Sequence, residues 1–162
     1  MKCEKLSRVI SILEGNGVVF VIGKRGSGKT TFCRLLALAV RRTRPVYVVD
    51  PNAQFTDFPS FSFVPSLRNF LLVVDDGESY FARGAGAEQS VLIARGRHAD
   101  VALLVCVRRP VEVERGLTAN ADAVVAFQLT EPLDLDWMKK TTGRDCSFLS
   151  RFGRGEFHVF FR

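Results

Sequence analysis

Short apolar runs recur along the chain at Val18–Ile22, Val46–Val49, Phe70–Val74, Val101–Val107 and Ala123–Phe127, and none alternates with polar residues. Runs of this kind suit strands covered on both faces. The stretches between them have helix-like or turn-like composition, which predicts right-handed crossovers and a mostly parallel central sheet in a three-layer α/β sandwich. Such an open sheet holds its ligand past the C-terminal ends of the strands. Leu6, Val9, Ile10 and Leu13 repeat at helical spacing among charges, so residues 1–15, and Met1–Glu14 in particular, read as an amphipathic helix. A second helix is predicted over Thr30–Val40. Near the other end, Ser147–Arg151 and Glu156–Phe161 flank Phe152-Gly153-Arg154-Gly155, a turn composition that predicts a β-hairpin over 145–162 and antiparallel edge strands. Phe55–Pro65 carries Phe55, Phe58, Phe61 and Phe63 with two prolines and no helical period. It reads as an irregular connection that covers one side of the sheet, with a subunit contact as the alternative.

The 162 residues fit a single domain, 1–162, with a sizeable core and little room for a second. No uncharged apolar run approaches the ~18 residues of a membrane span, and the charged N-terminus lacks the apolar centre of a signal peptide. The expectation is a cytoplasmic protein with no membrane span. Cysteines stand at 3, 33, 106 and 146 without a C-x-x-C pair, and the histidines are His98 and His158, so the pattern argues against a metal cluster. Cys33 and Cys106 read as small buried hydrophobes in a reducing compartment. The net charge of +6 suits a polyanionic partner, and it equally suits a domain that binds phosphates. Arg41-Arg42-Thr43-Arg44 ends the second helix, where cations offset the helix dipole; a nucleic-acid patch is the other reading.

Residues 23–30 are Gly23-Lys24-Arg25-Gly26-Ser27-Gly28-Lys29-Thr30, a full G-x-x-x-x-G-K-[ST] loop set between a strand and a helix. Its glycines let the main chain fold into a nest of N–H groups around phosphates, Lys29 supplies a cation for the β and γ oxygens, and the Thr30 hydroxyl is suited to Mg²⁺. Thr31 belongs to the same binding turn. Asn69–Asp76 is an apolar strand ending in two carboxylates. Asp75 is the candidate for steering Mg²⁺ through water, and Asp76 for orienting and deprotonating the attacking water, with Glu78 in reserve. The plain alternative is an acidic turn closed by Gly77.

Ala94–Pro110, followed by Glu114, Gly116, Leu117, Asn120 and Val124–Phe127, resembles the core of the FtsK/HerA superfamily of DNA-pumping ATPases. With both nucleotide motifs and Asp50-Pro51, the resemblance spans residues 17–130. It is greatest to the small genome-packaging ATPases of membrane-containing tailless viruses. The resemblance implies a RecA-like (ASCE) P-loop NTPase fold, ATP and Mg²⁺ as ligands, and a homo-oligomeric ring, by analogy a hexamer. It further implies double-stranded DNA as the translocated partner and a capsid or membrane-vertex protein as a further one. It places an arginine finger at Arg97, reaching a neighbouring subunit's site, with Arg95 as second choice. Arg108 stands where that family has a γ-phosphate-sensing Gln, and Asp76 where it has Glu, which implies slow hydrolysis without partner subunits. Other readings are a chromosome or conjugation pump, a small-molecule or nucleoside kinase, for which no lid insertion is visible, and a non-catalytic binding module. No N-K-x-D guanine motif occurs, which favours ATP.

Overall fold

The structure, a computed structural model, describes residues 2–64, 66–84 and 86–162; Met1 and Pro65, the outermost residues of two predicted segments, lie outside them. The apolar runs all form strands: β1 (Val18–Ile22), β2 (Val46–Val49), β3 (Phe70–Val74), β4 (Val101–Val107) and β5 (Ala123–Ala126). With β6 (His158–Phe161) they make a six-stranded sheet in the order β2-β3-β4-β1-β5-β6. Neighbours among β1 to β5 pair in parallel, and β6 runs antiparallel to β5. The four interior strands β3, β4, β1 and β5 are buried along their whole length, which is why their sequences do not alternate.

Successive residues of each strand feed two separate cores. Val19 and Val21 of β1 pack beneath α1 (Lys2–Glu14) and α2 (Lys29–Val40), through Val9, Leu13, Cys33, Leu36, Ala37 and Val40. Val18, Phe20 and Ile22 face the opposite layer. That layer receives Leu92 of α4 (Ala87–Arg95), Leu117 of α5 (Arg115–Ala119) and Met138 of α6 (Pro132–Thr142); a short α3 (Gly77–Tyr80) lies just after β3. The three layers are those expected. No helix among the described residues is long and apolar enough to cross a membrane.

Two segments differ from expectation. Ser147–Arg151 is a 3₁₀ helix, so β6 forms no hairpin and finds its antiparallel partner in β5. Asp145 is the local cause: it accepts the Ser147 N–H at 3.0 Å and the Ser147 hydroxyl at 2.9 Å, closing a turn that leads into helix. Phe55–Val64, the described part of the aromatic connection, covers both faces of the sheet instead of one. Phe55 and Phe58 join the core under α2, whereas Phe61 and Phe63 pack on the other. The chain passes around the β2 edge between them, with Phe61 N–H donating to Val48 O at 2.7 Å and Val48 N–H to Pro59 O at 3.0 Å.

Arg44 also departs from a surface reading, being buried. Its guanidinium donates to the carbonyls of Leu13, Glu14 and Gly15, which end α1, to Asp100 O, and to Asn69 Oδ1 at 3.0 Å. One cation thus satisfies helix-end carbonyls and ties α1 to the entry of β3 and β4. Arg44→Met is expected to lower stability by about 2 to 4 kcal/mol, read from urea unfolding, because it orphans several buried acceptors.

Candidate nucleotide site

The strand order places the loop of residues 23–28 at the centre of the sheet's C-terminal edge, between the ends of β4 and β5. Gly23 N–H donates to Val107 O at 3.3 Å and Lys24 N–H to Gln128 O at 2.8 Å, so both neighbours anchor it. Gly26 and Gly28 have φ of 76° and 107°, a left-handed backbone that would strain a side chain. The first α2 bond runs from Phe32 N–H to Gly28 O at 3.0 Å. The amides just before it are donors that a helix start leaves without a partner in its own ladder, and they suit an anion. Lys24, Arg25 and Thr31 are exposed, Thr30 is half-buried, and Ser27 and Lys29 are buried.

Lys29 Nζ donates to Lys24 O at 2.9 Å, holding the lysine against its own loop. Burial lowers its pKa, opposed by the nearby Cys106, Glu78, Cys33 and Asp75. Asp75, at the end of β3, is likewise buried, and burial pushes its carboxyl up; a Cys106 hydrogen bond and the Lys29 charge pull the other way. The two motifs found in the sequence therefore meet. Cys33 and Cys106 lie among them, and the Cys33 thiol is pushed well up by burial first and by Cys106 next.

Arg108, the first residue after β4, links the remaining acids. Its Nε donates to Glu78 Oε1 at 2.9 Å, its main-chain N–H to both Glu78 oxygens at 3.2 Å, and its Nη2 to Asp76 Oδ1 at 2.9 Å. Asp76 adopts φ 60° and accepts the Ser79 hydroxyl at 2.9 Å. Gly77 explains why this turn lies so close to the sheet: a Cβ there would come within 2.4 Å of Val105 Cγ1. The Arg108–Asp76 pair stands between two clefts. One, of about 530 Å³, has Lys24, Arg25, Glu78, Arg109 and Asp134 in its wall; the other, of about 720 Å³, has Asp50, Asp75, Asp76 and Tyr80.

Arg97 is not brought to this group. It begins the 3₁₀ turn Arg97–Ala99 ahead of β4, so a seven-residue strand, roughly 20 Å long, separates it from Arg108. Its Nη2 donates to both oxygens of Asp122 at 2.8 and 2.9 Å, and Asp122 also accepts Val18 N–H at 2.8 Å. Arg95 ends α4 at the same side of the sheet. Neither arginine serves the loop of its own chain.

Three contributors escaped the sequence reading. Asp134 on α6 is almost wholly buried with Arg109 Nε at 3.5 Å from Oδ2, and burial raises its carboxyl. Pro132 in the first turn and Gly143 past the last, at φ 69°, were the signals for that helix. The two cysteines beside Lys29 gave no spacing signal, because they come from different elements. The third is the turn after Arg151, which lies on the loop itself: Gly155 N–H donates to Ser27 O at 3.0 Å.

Fold and loop together define a P-loop NTPase. The profile of the family described as novel STAND NTPase 3 matches residues 1–80, ending soon after the paired aspartates. No curated protein sequence matches significantly. Among solved structures, the genome-packaging NTPase B204 from Sulfolobus turreted icosahedral virus 2, in complex with AMPPCP, is 14% identical with a TM-score of 0.76, over 90% of this chain and 92% of that one. The pCW3 conjugation coupling protein TcpA is 13% identical with a TM-score of 0.64, over 92% and 58% respectively. The cytoplasmic domain of the type VII secretion ATPase EccC from Thermomonospora curvata is 18% identical with a TM-score of 0.66, over 91% and 24%. At such identities the likeness establishes the fold, and it falls on the kind of protein that the FtsK/HerA resemblance named.

Proposed function

We propose that this chain is an ATP-hydrolysing motor that moves double-stranded DNA, acting in a homo-oligomeric ring of hexamer type to package a viral genome in the host cytoplasm. The observation that carries it is the meeting of buried Lys29 and Asp75 at the loop, in a chain that matches a packaging NTPase over nearly the full length of both. A capsid or membrane-vertex protein is its docking partner in that role.

Lys29 and the loop amides hold the triphosphate oxygens. Mg²⁺ fits the Thr30 hydroxyl and the Asp75 carboxylate and would supply positive charge to the β and γ oxygens; phosphate and water complete such a shell, so no cluster of acidic side chains is needed. In hydrolysis a water oxygen bonds to the γ-phosphorus as the bond to the ADP oxygen breaks, and a carboxylate takes the water proton. Glu78 is committed to the main chain and side chain of Arg108, and this orients the arginine. Asp76 also accepts from Arg108 Nη2 and Ser79, but without a main-chain bond and with more exposure than Glu78, and it takes the proton. Arg97 reaches the γ-phosphate of a neighbouring copy, which fits its position far from its own loop.

ATPase activity measured with and without double-stranded DNA tests this reading. DNA is expected to stimulate turnover, with an apparent affinity that falls at least about tenfold between about 50 and 200 mM salt as phosphate contacts are screened. Hydrolysis that ignores DNA at low salt would leave an ATPase and remove the motor.

A further inference from the structure

The turn between Arg151 and β6 has no part in phosphate chemistry, yet it packs on the loop that performs it. Besides the Gly155 to Ser27 hydrogen bond, the main chains approach so closely that a Cβ on Gly28 would sit 3.6 Å from Gly155 Cα. The turn is held by Gly153 N–H donating to Glu156 Oε2 at 2.6 Å and by Gly155 at φ 81°. Immediately after it, the Phe157 ring lies 4.8 Å from Phe32 and 5.4 Å from Phe127, centroid to centroid. Phe32 belongs to the first turn of α2, next to Thr31. The turn is therefore fastened to both the loop and the helix it opens. Arg154, inside the turn, is exposed and makes no hydrogen bond or ion pair among the described residues.

Topology gives the direction of a bound nucleotide. Asp75, Asp76 and Arg108 follow β3 and β4, on one side of β1, and they set the γ-phosphate end. β5 and β6 lie on the other side of β1. A triphosphate laid along the loop from the carboxylates leads its α-phosphate and nucleoside toward β5 and β6, where the turn sits.

We infer that residues 153–156 form the nucleoside edge of the site, with the Arg154 guanidinium lying over the face of a purine base. This rests on the nucleotide-binding reading above and extends it to the part of the ligand beyond the phosphates. A guanidinium on a π face is attracted by the ring and needs no edge-specific hydrogen bonds. It favours the larger ring system of a purine nucleoside triphosphate and leaves the base edge unread.

The test compares two probes, ATP and inorganic tripolyphosphate, binding to the full chain by calorimetry in wild type, Arg154→Ala and Lys29→Ala. Arg154→Ala is expected to weaken ATP about five- to thirtyfold. Tripolyphosphate should stay within about twofold, since the phosphate contacts are untouched. Lys29→Ala should weaken both probes. Equal loss of both probes in Arg154→Ala would show that the arginine acts on phosphate, and no loss of either would show that the turn is mere packing; each overturns the inference. A wild type that binds tripolyphosphate but gains nothing from the nucleoside would overturn it while sparing the phosphate loop. Failure of wild type to bind either probe would sink the loop itself and the edge with it.

Discussion

Asp75→Asn is expected to cut ATP turnover at least about a hundredfold while raising the melting temperature of the nucleotide-free protein by about 2 to 4 °C. The first effect follows from losing the carboxylate charge beside Lys29. The second follows from burial: the Asp75 carboxyl lies above its ordinary range because the fold withdraws it from water. A carboxyl with a raised folded pKa binds its proton more tightly in the folded state, so its contribution to stability is present in acid. That contribution is lost as pH rises from the unfolded aspartate range through the raised folded value. At neutral pH the charged group therefore opposes folding, and asparagine relieves it. Lys29 keeps Glu78 as an opposite charge in the variant. Melting curves across pH provide the check, because the gain should shrink once acid has protonated Asp75 in both states. A variant that melts lower at neutral pH, or turns over normally, would contradict this account.

Arg97→Ala should lose about 10³- to 10⁵-fold in turnover, and an equimolar mixture with Lys29→Ala should recover part of it. Under the proposed arrangement, each variant alone lacks one half of every shared site. In the mixture, interfaces form in which the intact loop of one copy meets the intact guanidinium of the other. The Arg97 pairing with Asp122 is partly exposed, so its loss should change stability by no more than about 1 kcal/mol, and melting curves separate the two effects. A mixture as inactive as its components would remove Arg97 from the neighbour's site. Arg95→Ala, run in parallel, would then be the variant to show the loss and the recovery.

The central strands were legible because burial on both faces leaves unbroken apolar runs such as Phe70–Val74 and Val101–Val107. The loop of residues 23–30 was legible because its chemistry is local. What depends on contacts between distant segments was not. Arg44 looks like one more cation at a helix end, and nothing near it in sequence reveals that Leu13, Asn69 and Asp100 converge on it. Glu78 and Arg108 are separated by thirty positions, and only the β3 and β4 pairing brings them together. The 147–151 segment lies beside a turn composition that suggested a strand, but Asp145 accepts the Ser147 N–H and hydroxyl and starts a 3₁₀ helix there, while β6 pairs with β5. The glycines near the C-terminus suggested a reversal of the chain, and they also allow it to rest on Ser27 and Gly28.

The path of Phe55–Val64 around β2 bears on how copies of this chain would meet in the proposed ring. Both main-chain polar groups of Val48 are already used, by Pro59 and Phe61, and aromatic rings clasp that margin from above and below. At Val48 a second molecule finds no free main-chain group to pair with. In the proposed ring, a contact between copies at Val48 would be made by side chains, which can form and part without unzipping a sheet.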